Sequence, residues 1–119
     1  MPPVGIDHVQ VAMPRGREQE ARAFYGSLLG LVEIPKPPVQ AARGGVWFKC
    51  GGQELHLGVE EPFSPARKAH PALVFSDFEA LVRQLREAGV AVSEDDTIPG
   101  VRRAFVADPF GNRVELVSL

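Results

Sequence analysis

The chain has 119 residues, a hydrophobic fraction of 45% and a formal net charge of −2 at pH 7, which indicates one small globular domain or two mutually dependent modules. This charge balance gives no electrostatic basis for binding nucleic acid or an anionic membrane surface. Because no apolar run approaches the roughly 20 residues of a membrane helix and no basic-then-apolar leader begins the chain, we expect no membrane span and no signal peptide. The single cysteine, Cys50, excludes an internal disulfide and fits a cytoplasmic protein.

The first half of the chain predicts one helix among four strands. Alternating apolar and polar side chains indicate the strands, and apolar residues at the spacing of one helical face indicate the helix. Gly30 is placed to cap that helix in a left-handed conformation, and a Gly-Gly pair predicts a hairpin turn between the last two strands. The predicted elements are a strand at residues 4–13, a helix at 18–29, a strand at 31–34, a proline-rich loop at 35–38, and strands at 46–50 and 53–59.

The second half repeats this order. Ser76 and Glu79 have the spacing of a capping box with Ser76 as the N-cap, and the helix that follows is expected to end at Gly89. The predicted elements are a strand at 70–75, the helix, a strand at 90–93, an acidic loop at 94–100, and strands at 102–107 and 113–119 that are joined by a tight turn. The sequence therefore predicts a single domain, 1–119, of two β-α-β-β-β modules at about residues 4–61 and 69–119.

All three histidines fall at matching positions of the two modules. His8 and His70 lie in the first strand of each module. His56 lies in the last strand of the first module, and Glu115 occupies the corresponding place in the second. Because side chains alternate across a strand, all four are predicted to point away from the face that the helices must cover. If the sheet curls, these four side chains converge in one cavity.

Three imidazoles and a carboxylate favour a divalent transition metal over calcium or magnesium, which prefer oxygen ligands. Zinc, iron, nickel, cobalt and manganese all accept this set, so the identity of the metal stays open. A single strand histidine is more often a packed or surface residue than a ligand. Four candidates at equivalent positions of the two modules, all on the same face, instead favour a metal site. Glu54 shares the face of His56 and is the reserve ligand.

Three segments resemble the vicinal oxygen chelate superfamily, which includes glyoxalase I, fosfomycin- and bleomycin-resistance proteins and extradiol dioxygenases. They are Asp7-His8-Val9, residues 23–31 at the first helix and its exit, and residues 105–115 with their Asp-Pro-Phe-Gly-Asn turn. The resemblance covers nearly the whole chain and implies an α+β fold, in which two tandem βαβββ modules form a curled mixed sheet with helices on the outer face. It also implies a homodimer with sites at its interface and, as metal ligands, His8, His56, His70 and Glu115.

The resemblance further implies a small-molecule enzyme, in which the metal chelates two neighbouring oxygens of the substrate and acts as a Lewis acid. Lyase or isomerase chemistry of the glyoxalase kind is the favoured activity, with His56 and Glu115 as the catalytic residues. The residues expected to contact the substrate are Gln10, Trp47, Arg103 and Phe105. Arg103 and its neighbour Arg102 are also candidates for binding a carboxylate or phosphate, although Arg102 on a solvated edge strand is the simpler interpretation.

Three alternatives stay open at this point. One is a ring-cleaving dioxygenase, although the tyrosine usual in those enzymes is replaced here by Phe105. Another is a metal-free protein that sequesters a ligand, as bleomycin-resistance proteins do. The third is a structural metal whose coordination is closed.

Overall fold

The computed structural model describes all 119 residues and divides the chain into two compact units, Met1–Pro65 and Ala66–Leu119. None of the helices has the length and apolar content needed to cross a bilayer. The first unit contains β1 (His8–Met13), α1 (Glu18–Ala21) continued by a π-helical segment (Arg22–Leu28), β2 (Val32–Ile34), α2 (Pro38–Ala42), β3 (Val46–Cys50) and β4 (Gln53–Val59). The second contains β5 (Ala72–Phe75), α3 (Phe78–Glu87), β6 (Ser93–Asp95), β7 (Arg103–Ala107) and β8 (Arg113–Ser118).

Each unit has its own four-stranded mixed sheet, with strand orders β1-β4-β3-β2 and β5-β8-β7-β6. The first and last strands of each unit pair in parallel, and the other pairs are antiparallel. The registers also correspond, because His56 lies opposite Gln10 on β1 and Glu115 lies opposite Ala72 on β5. The α+β fold with tandem βαβββ modules is therefore as predicted, and each module forms one open sheet.

The helix of the first unit covers one face of its sheet. Leu55 and Leu57 of β4 are 1% and 0% exposed on that face, and Tyr25 of the π-helical segment packs against Phe48 with ring centroids 6.0 Å apart. The π-helical segment ends at Leu28, and Gly30, two residues later, has the predicted left-handed conformation with a φ of 83°. Because this face is apolar and covered, the alternate side chains of β4, His56 among them, lie on the other face.

The helix of the second unit begins one residue later than predicted. Asp77 is its N-cap, because the Asp77 carboxylate accepts a hydrogen bond from the Ala80 backbone N–H at 3.1 Å. The prediction of Ser76 as the cap was wrong. Burial of the adjacent Phe78 sets the start of the helix, and a carboxylate at the N-cap also interacts favourably with the helix dipole. Glu79 forms an ion pair with Arg102 and does not complete a capping box.

The structure differs from the predicted elements at three further places. α2 was missed because the prolines indicated a loop, yet Pro38 stands at the first helical position, where its missing N–H has no consequence. β1 begins at His8, later than predicted. β6 spans Ser93–Asp95, so the strand takes in residues that were assigned to the acidic loop.

The turn between β7 and β8 is rigid. Asp108 and Asn112 are buried, with 5% and 1% exposure. The Asp108 carboxylate accepts hydrogen bonds from the backbone N–H groups of Phe110 at 2.9 Å and Asn112 at 2.8 Å, and from the Asn112 side-chain amide. This turn therefore fixes the start of β8, which carries Glu115.

Candidate functional site

The first unit carries two candidate ligands on the uncovered face of its sheet. The imidazoles of His8 and His56 lie on adjacent strands and stack with ring centroids 4.3 Å apart and planes 20° apart. The side chain of His8 is 43% exposed, whereas His56 is only 4% exposed. These two side chains therefore lie on one face of the first sheet, and only His8 is open to solvent.

The His56 ring is held on both faces and at its edge. Trp47 of β3 stacks on it with centroids 4.0 Å apart and planes 5° apart, on the side away from His8. His56 Nε2 lies 2.9 Å from Oε1 of Glu54, whose side chain is 33% exposed. The ammonium of Lys36 lies 5.9 Å from the Trp47 ring, and burial lowers the pKa of that amine. The reserve ligand Glu54 is thus paired with His56.

The second unit pairs the other two candidate ligands directly. His70 Nε2 lies 3.0 Å from Glu115 Oε1, and the two side chains are 23% and 12% exposed. His70 precedes β5, with Pro71 between them, and the prediction that it belongs to the strand was wrong. Its position is fixed by Nδ1, which lies 2.8 Å from the carbonyl oxygen of Lys68.

The hydrogen bond at Nδ1 determines which His70 nitrogen carries a proton. A carbonyl oxygen only accepts, so Nδ1 must be the donor, and in a neutral imidazole Nε2 then has a lone pair and no hydrogen. That lone pair faces the Glu115 carboxylate at 3.0 Å. Two acceptors at this distance require a bridge between them, which is either a second proton, on the imidazole or on the carboxyl, or a cation.

Glu115 is held from its other side by Arg103 of β7. Arg103 Nη1 donates to Glu115 Oε2 at 3.3 Å, while Nη2 lies 3.5 Å from the carboxylate of Asp95 and 3.4 Å from the Thr97 hydroxyl. The hydrogen bonds from Thr97, together with the Arg103 charge, hold the pKa of the Asp95 carboxyl below its usual range. Arg103, predicted to contact substrate, therefore also orients a candidate ligand.

Phe105 lies at the centre of this group. The His70 ring meets it edge-on with centroids 5.6 Å apart, and the guanidinium carbons of Arg113 and Arg103 lie 4.0 and 5.2 Å from its centroid. Arg102 is turned away from this group, since it pairs with Glu79 and Glu94 and stacks on Phe78. The interpretation of Arg102 as a solvated residue fits these contacts, but its assignment to an edge strand was wrong, because Arg102 precedes β7 and β7 lies between β8 and β6.

The four candidate ligands occur as two pairs, one in each unit, and the structure holds no group of three or more His, Cys, Asp or Glu side chains placed to bind a metal ion. The chemistry of the pairs nevertheless fits a divalent transition metal. Metal bonds of about 2.1 Å place adjacent donor atoms of an octahedral site about 3 Å apart, and His70 Nε2 and Glu115 Oε1 are 3.0 Å apart. The sequence analysis did not single out Arg113 or Asp95. Strand alternation could have identified Arg113, because it lies two residues before Glu115 and therefore on the same face of β8.

Several solved structures are similar to this chain. A glyoxalase family protein from Bacillus anthracis is 53% identical, with a TM-score of 0.93 and coverage of 96% of this chain and 93% of that chain. The lactoylglutathione lyase from Agrobacterium tumefaciens is 23% identical, with a TM-score of 0.76 and coverage of 99% and 96%. The fosfomycin resistance protein from Listeria monocytogenes is 15% identical, with a TM-score of 0.76 and coverage of 97% and 93%. These last two similarities show the fold alone.

No curated protein is significantly similar to the chain. The family model of the Glyoxalase/Bleomycin resistance protein/Dioxygenase superfamily matches residues 5–116, which is nearly the whole chain. The resemblance noted in the sequence is confirmed by this match and by the shared fold. The chain therefore belongs to the Glyoxalase/Bleomycin resistance protein/Dioxygenase superfamily.

Proposed function

We propose that this protein is a metal-dependent small-molecule enzyme with lyase or isomerase chemistry of the glyoxalase kind. Its substrate presents two neighbouring oxygens, and one divalent transition metal is held at each site by His8, His56, His70 and Glu115. Members of the superfamily typically use a divalent metal, and a lactoylglutathione lyase shares the fold.

The observation that carries this proposal is the facing pair of His70 and Glu115. Nδ1 of His70 is occupied by the Lys68 carbonyl, so the remaining nitrogen lone pair and a carboxylate oxygen meet at 3.0 Å. A divalent cation satisfies both acceptors at once, and the carbonyl contact is the kind of outer hydrogen bond that orients a metal-binding histidine. The pair therefore has the donor chemistry and the orientation of metal ligands.

When bound, the metal would supply Lewis-acid stabilisation of the negative charge that develops on the substrate oxygens. The protein residues supply orientation and proton transfer. Glu54 Oε1 and His56 Nε2, 2.9 Å apart, can hold a proton between them and exchange it with the substrate. His56 is proposed both as ligand and as catalytic residue, and it serves as a base only while its nitrogen is free of the metal. Glu115 is the proposed catalytic carboxylate of the second unit, and Arg103 prevents it from turning away.

The remaining proposed contacts line the same faces. Trp47 and Phe105 occupy matching positions, opposite His56 and Glu115 in their sheets, and offer flat apolar surfaces beside the ligands. Gln10 lies opposite His56 on β1 and is exposed, so its amide is free to hydrogen-bond a substrate oxygen. Arg103 is the fourth proposed substrate contact, and its side chain is 17% exposed.

The test of the metal site is elemental analysis of untagged protein purified without chelator, beside a His70→Ala variant. We expect close to one transition metal per chain in the parent and almost none in the variant. Zinc, nickel, cobalt or manganese would favour the lyase or isomerase, whereas iron would move the proposal towards the dioxygenase. Absence of metal from both proteins, even after all five metals are added, would contradict the proposal and favour metal-free sequestration.

We also propose that the chain forms a homodimer with its sites at the interface, because this fold commonly forms dimers. The test mixes a His8→Ala chain with a Glu115→Ala chain after partial unfolding and refolding. A site built from two chains is restored in the mixed dimer, since one of its two sites then has all four ligands. No recovery of metal binding on mixing, or a monomer at micromolar concentration, would contradict the shared site.

A further inference from the structure

Two arginines lie beside Phe105 on the face of the second sheet that carries Glu115, and their surroundings differ. Arg103 donates to Glu115 and Thr97 and pairs with Asp95. The guanidinium of Arg113 has no hydrogen-bond acceptor and no carboxylate within 4.0 Å, and its contact is the face of the Phe105 ring, 4.0 Å from the centroid. Arg113 therefore keeps all five of its guanidinium donors available.

Arg113 is not a freely solvated cation. Its side chain is half-buried, and its backbone N–H donates to the Ala66 carbonyl at 2.9 Å, directly after the rigid turn held by Asp108. An arginine that is partly buried and fixed in position is ordinarily paired with an anion. Arg113 is thus a cation held in place with no carboxylate paired to it within the second unit.

A second donor near Phe105 is also unsatisfied. The Nε of Arg103 is buried and has no hydrogen-bond partner, although the two Nη atoms of the same group are engaged. Arg113 and Glu115 are two positions apart on β8, so both side chains project from the same face. The unfilled donors and the candidate metal ligand therefore belong to one surface.

We propose that Arg113 binds an anionic oxygen group of the substrate, a carboxylate or a phosphate, in addition to the two oxygens that chelate the metal. The substrate is then an anion, whose charged group lies beside the Phe105 ring. The two chelating oxygens of this substrate rest on the proposed function, whereas its anionic group rests on Arg113 alone. It moves anion recognition from Arg103, whose charge is already matched by Glu115 and Asp95, to Arg113.

The first test uses metal-free protein, so it is independent of the metal site. Benzoate, phenyl phosphate and the neutral benzamide are titrated while the arginine Nε–Hε NMR signals are followed, the Arg113 signal being the one lost in Arg113→Gln. We expect at least one of the two anions to bind about tenfold more weakly to Arg113→Gln, as removal of a charge-assisted hydrogen bond predicts. Benzamide should show no difference. The anion that binds more tightly identifies the charged group as carboxylate or phosphate.

Two further variants control this result. Arg83→Gln removes the same charge from an exposed position of α3 and should leave the affinities unchanged. Arg113→Lys keeps the charge but loses the forked donors, so its affinity should lie between those of the parent and Arg113→Gln. Equal affinities of the parent and Arg113→Gln for both anions, or an equal loss in Arg83→Gln, would overturn the proposal.

The second test adds the metal. Cobalt-loaded protein is titrated with catechol and with 3,4-dihydroxybenzoate, which offer the same neighbouring oxygens but differ by one carboxylate. We expect the parent to prefer the carboxylate by about tenfold and Arg113→Gln to lose that preference. Anion binding through Arg113 without any metal binding would leave this inference standing while the proposed function fails. Metal binding with no effect of Arg113 on either ligand would overturn this inference alone.

Discussion

The two units have the same strand order and the same register, yet the residues around their candidate ligands carry opposite charges. In the first unit, the residue two positions before His56 is Glu54, which pairs with the imidazole. In the second, the residue two positions before Glu115 is Arg113, and Glu115 itself pairs with Arg103. The comparison shows that the sheet determines where these side chains lie, while their chemistry differs freely between the repeats.

The two ligand pairs are also held by different forces. His56 is buried and stacked between the Trp47 and His8 rings, so apolar packing fixes its orientation. Glu115 is fixed by ion pairing with Arg103 and by its contact with His70. We infer a division of roles, in which the first unit exchanges a proton through Glu54 and His56 and the second holds charge.

The largest effect is expected from the ligand pair of the second unit. His70→Ala and Glu115→Ala should each weaken metal affinity by more than about 100-fold, since loss of a direct ligand exceeds the loss typical of its supporting residues. The melting temperature should change little, because neither side chain packs in the apolar core. Competition with a chelator measures the affinity, and Glu87→Gln on the exposed side of α3 is the control. Full metal affinity in either variant would exclude that residue as a ligand.

The next prediction separates the two possible ligands of the first unit. His56→Gln should reduce metal affinity more than Glu54→Gln, which should cost about tenfold or less, as a supporting residue does. His56→Gln should also lower the melting temperature, since the ring is 4% exposed and stacked on Trp47. Isothermal titration with zinc compares the two variants. The reverse ranking of affinities would make Glu54 the ligand and His56 its partner.

Arg103 offers a matched pair of substitutions with its neighbour. Arg103→Gln should weaken metal affinity by about 10- to 100-fold because Glu115 loses the group that orients it. Arg102→Gln changes the same charge at the adjacent position but breaks only the exposed ion pairs with Glu79 and Glu94. Its metal affinity should equal that of the parent. If the two variants behaved alike, Arg103 would act through net charge and not through contact with Glu115.

The smallest effect concerns the loops that precede β3 and β7. Glu18 accepts a hydrogen bond from the Gly45 N–H at 2.9 Å, which holds the pKa of this carboxyl below its usual value of 4.5. Because the folded pKa is lowered, the stabilisation is present above pH 4.5 and is lost as the pH falls through the folded pKa. Glu18→Gln should therefore cost less than about 1 kcal/mol at neutral pH, since the group is only half-buried and solvent screens its interactions.

Urea unfolding at pH 7 and at pH 3 measures this effect. The difference between the parent and Glu18→Gln should shrink at the lower pH. In the second unit, Asp95 has the same relation to Thr97, with its pKa also lowered by hydrogen bonding. Asp95→Asn should therefore show the same pH trend, and a difference that grew with falling pH would contradict the assignment for either carboxyl.

The sequence predicted the modules better than their boundaries. Alternation, helical spacing and turn residues are local signals, so the order of the elements and the equivalence of His56 with Glu115 followed from them. Helix starts and short helices were less well predicted. Asp77 and Ser76 are both good caps, and only the burial of Phe78 selects between them. Pro38 in a proline-rich segment indicated a loop until the structure showed it at a helix start.

The candidate site was likewise predicted from the sequence only in part. The sequence by itself determined which faces carry His8, His56 and Glu115, because period-two alternation fixes the face of every strand residue. His70 precedes its strand, so alternation did not fix the direction of its side chain. Only the tertiary structure decided which atoms meet. The pairing of Glu54 with His56, the turning of Arg102 away from Arg103 and the absence of a partner for Arg113 depend on strand order and side-chain packing. The contact of Arg102 with Glu79 spans 23 positions. Glu54 and His56 are only two positions apart, but the orientation of the His56 ring depends on the Trp47 and His8 rings that enclose it, so no local pattern specifies either contact.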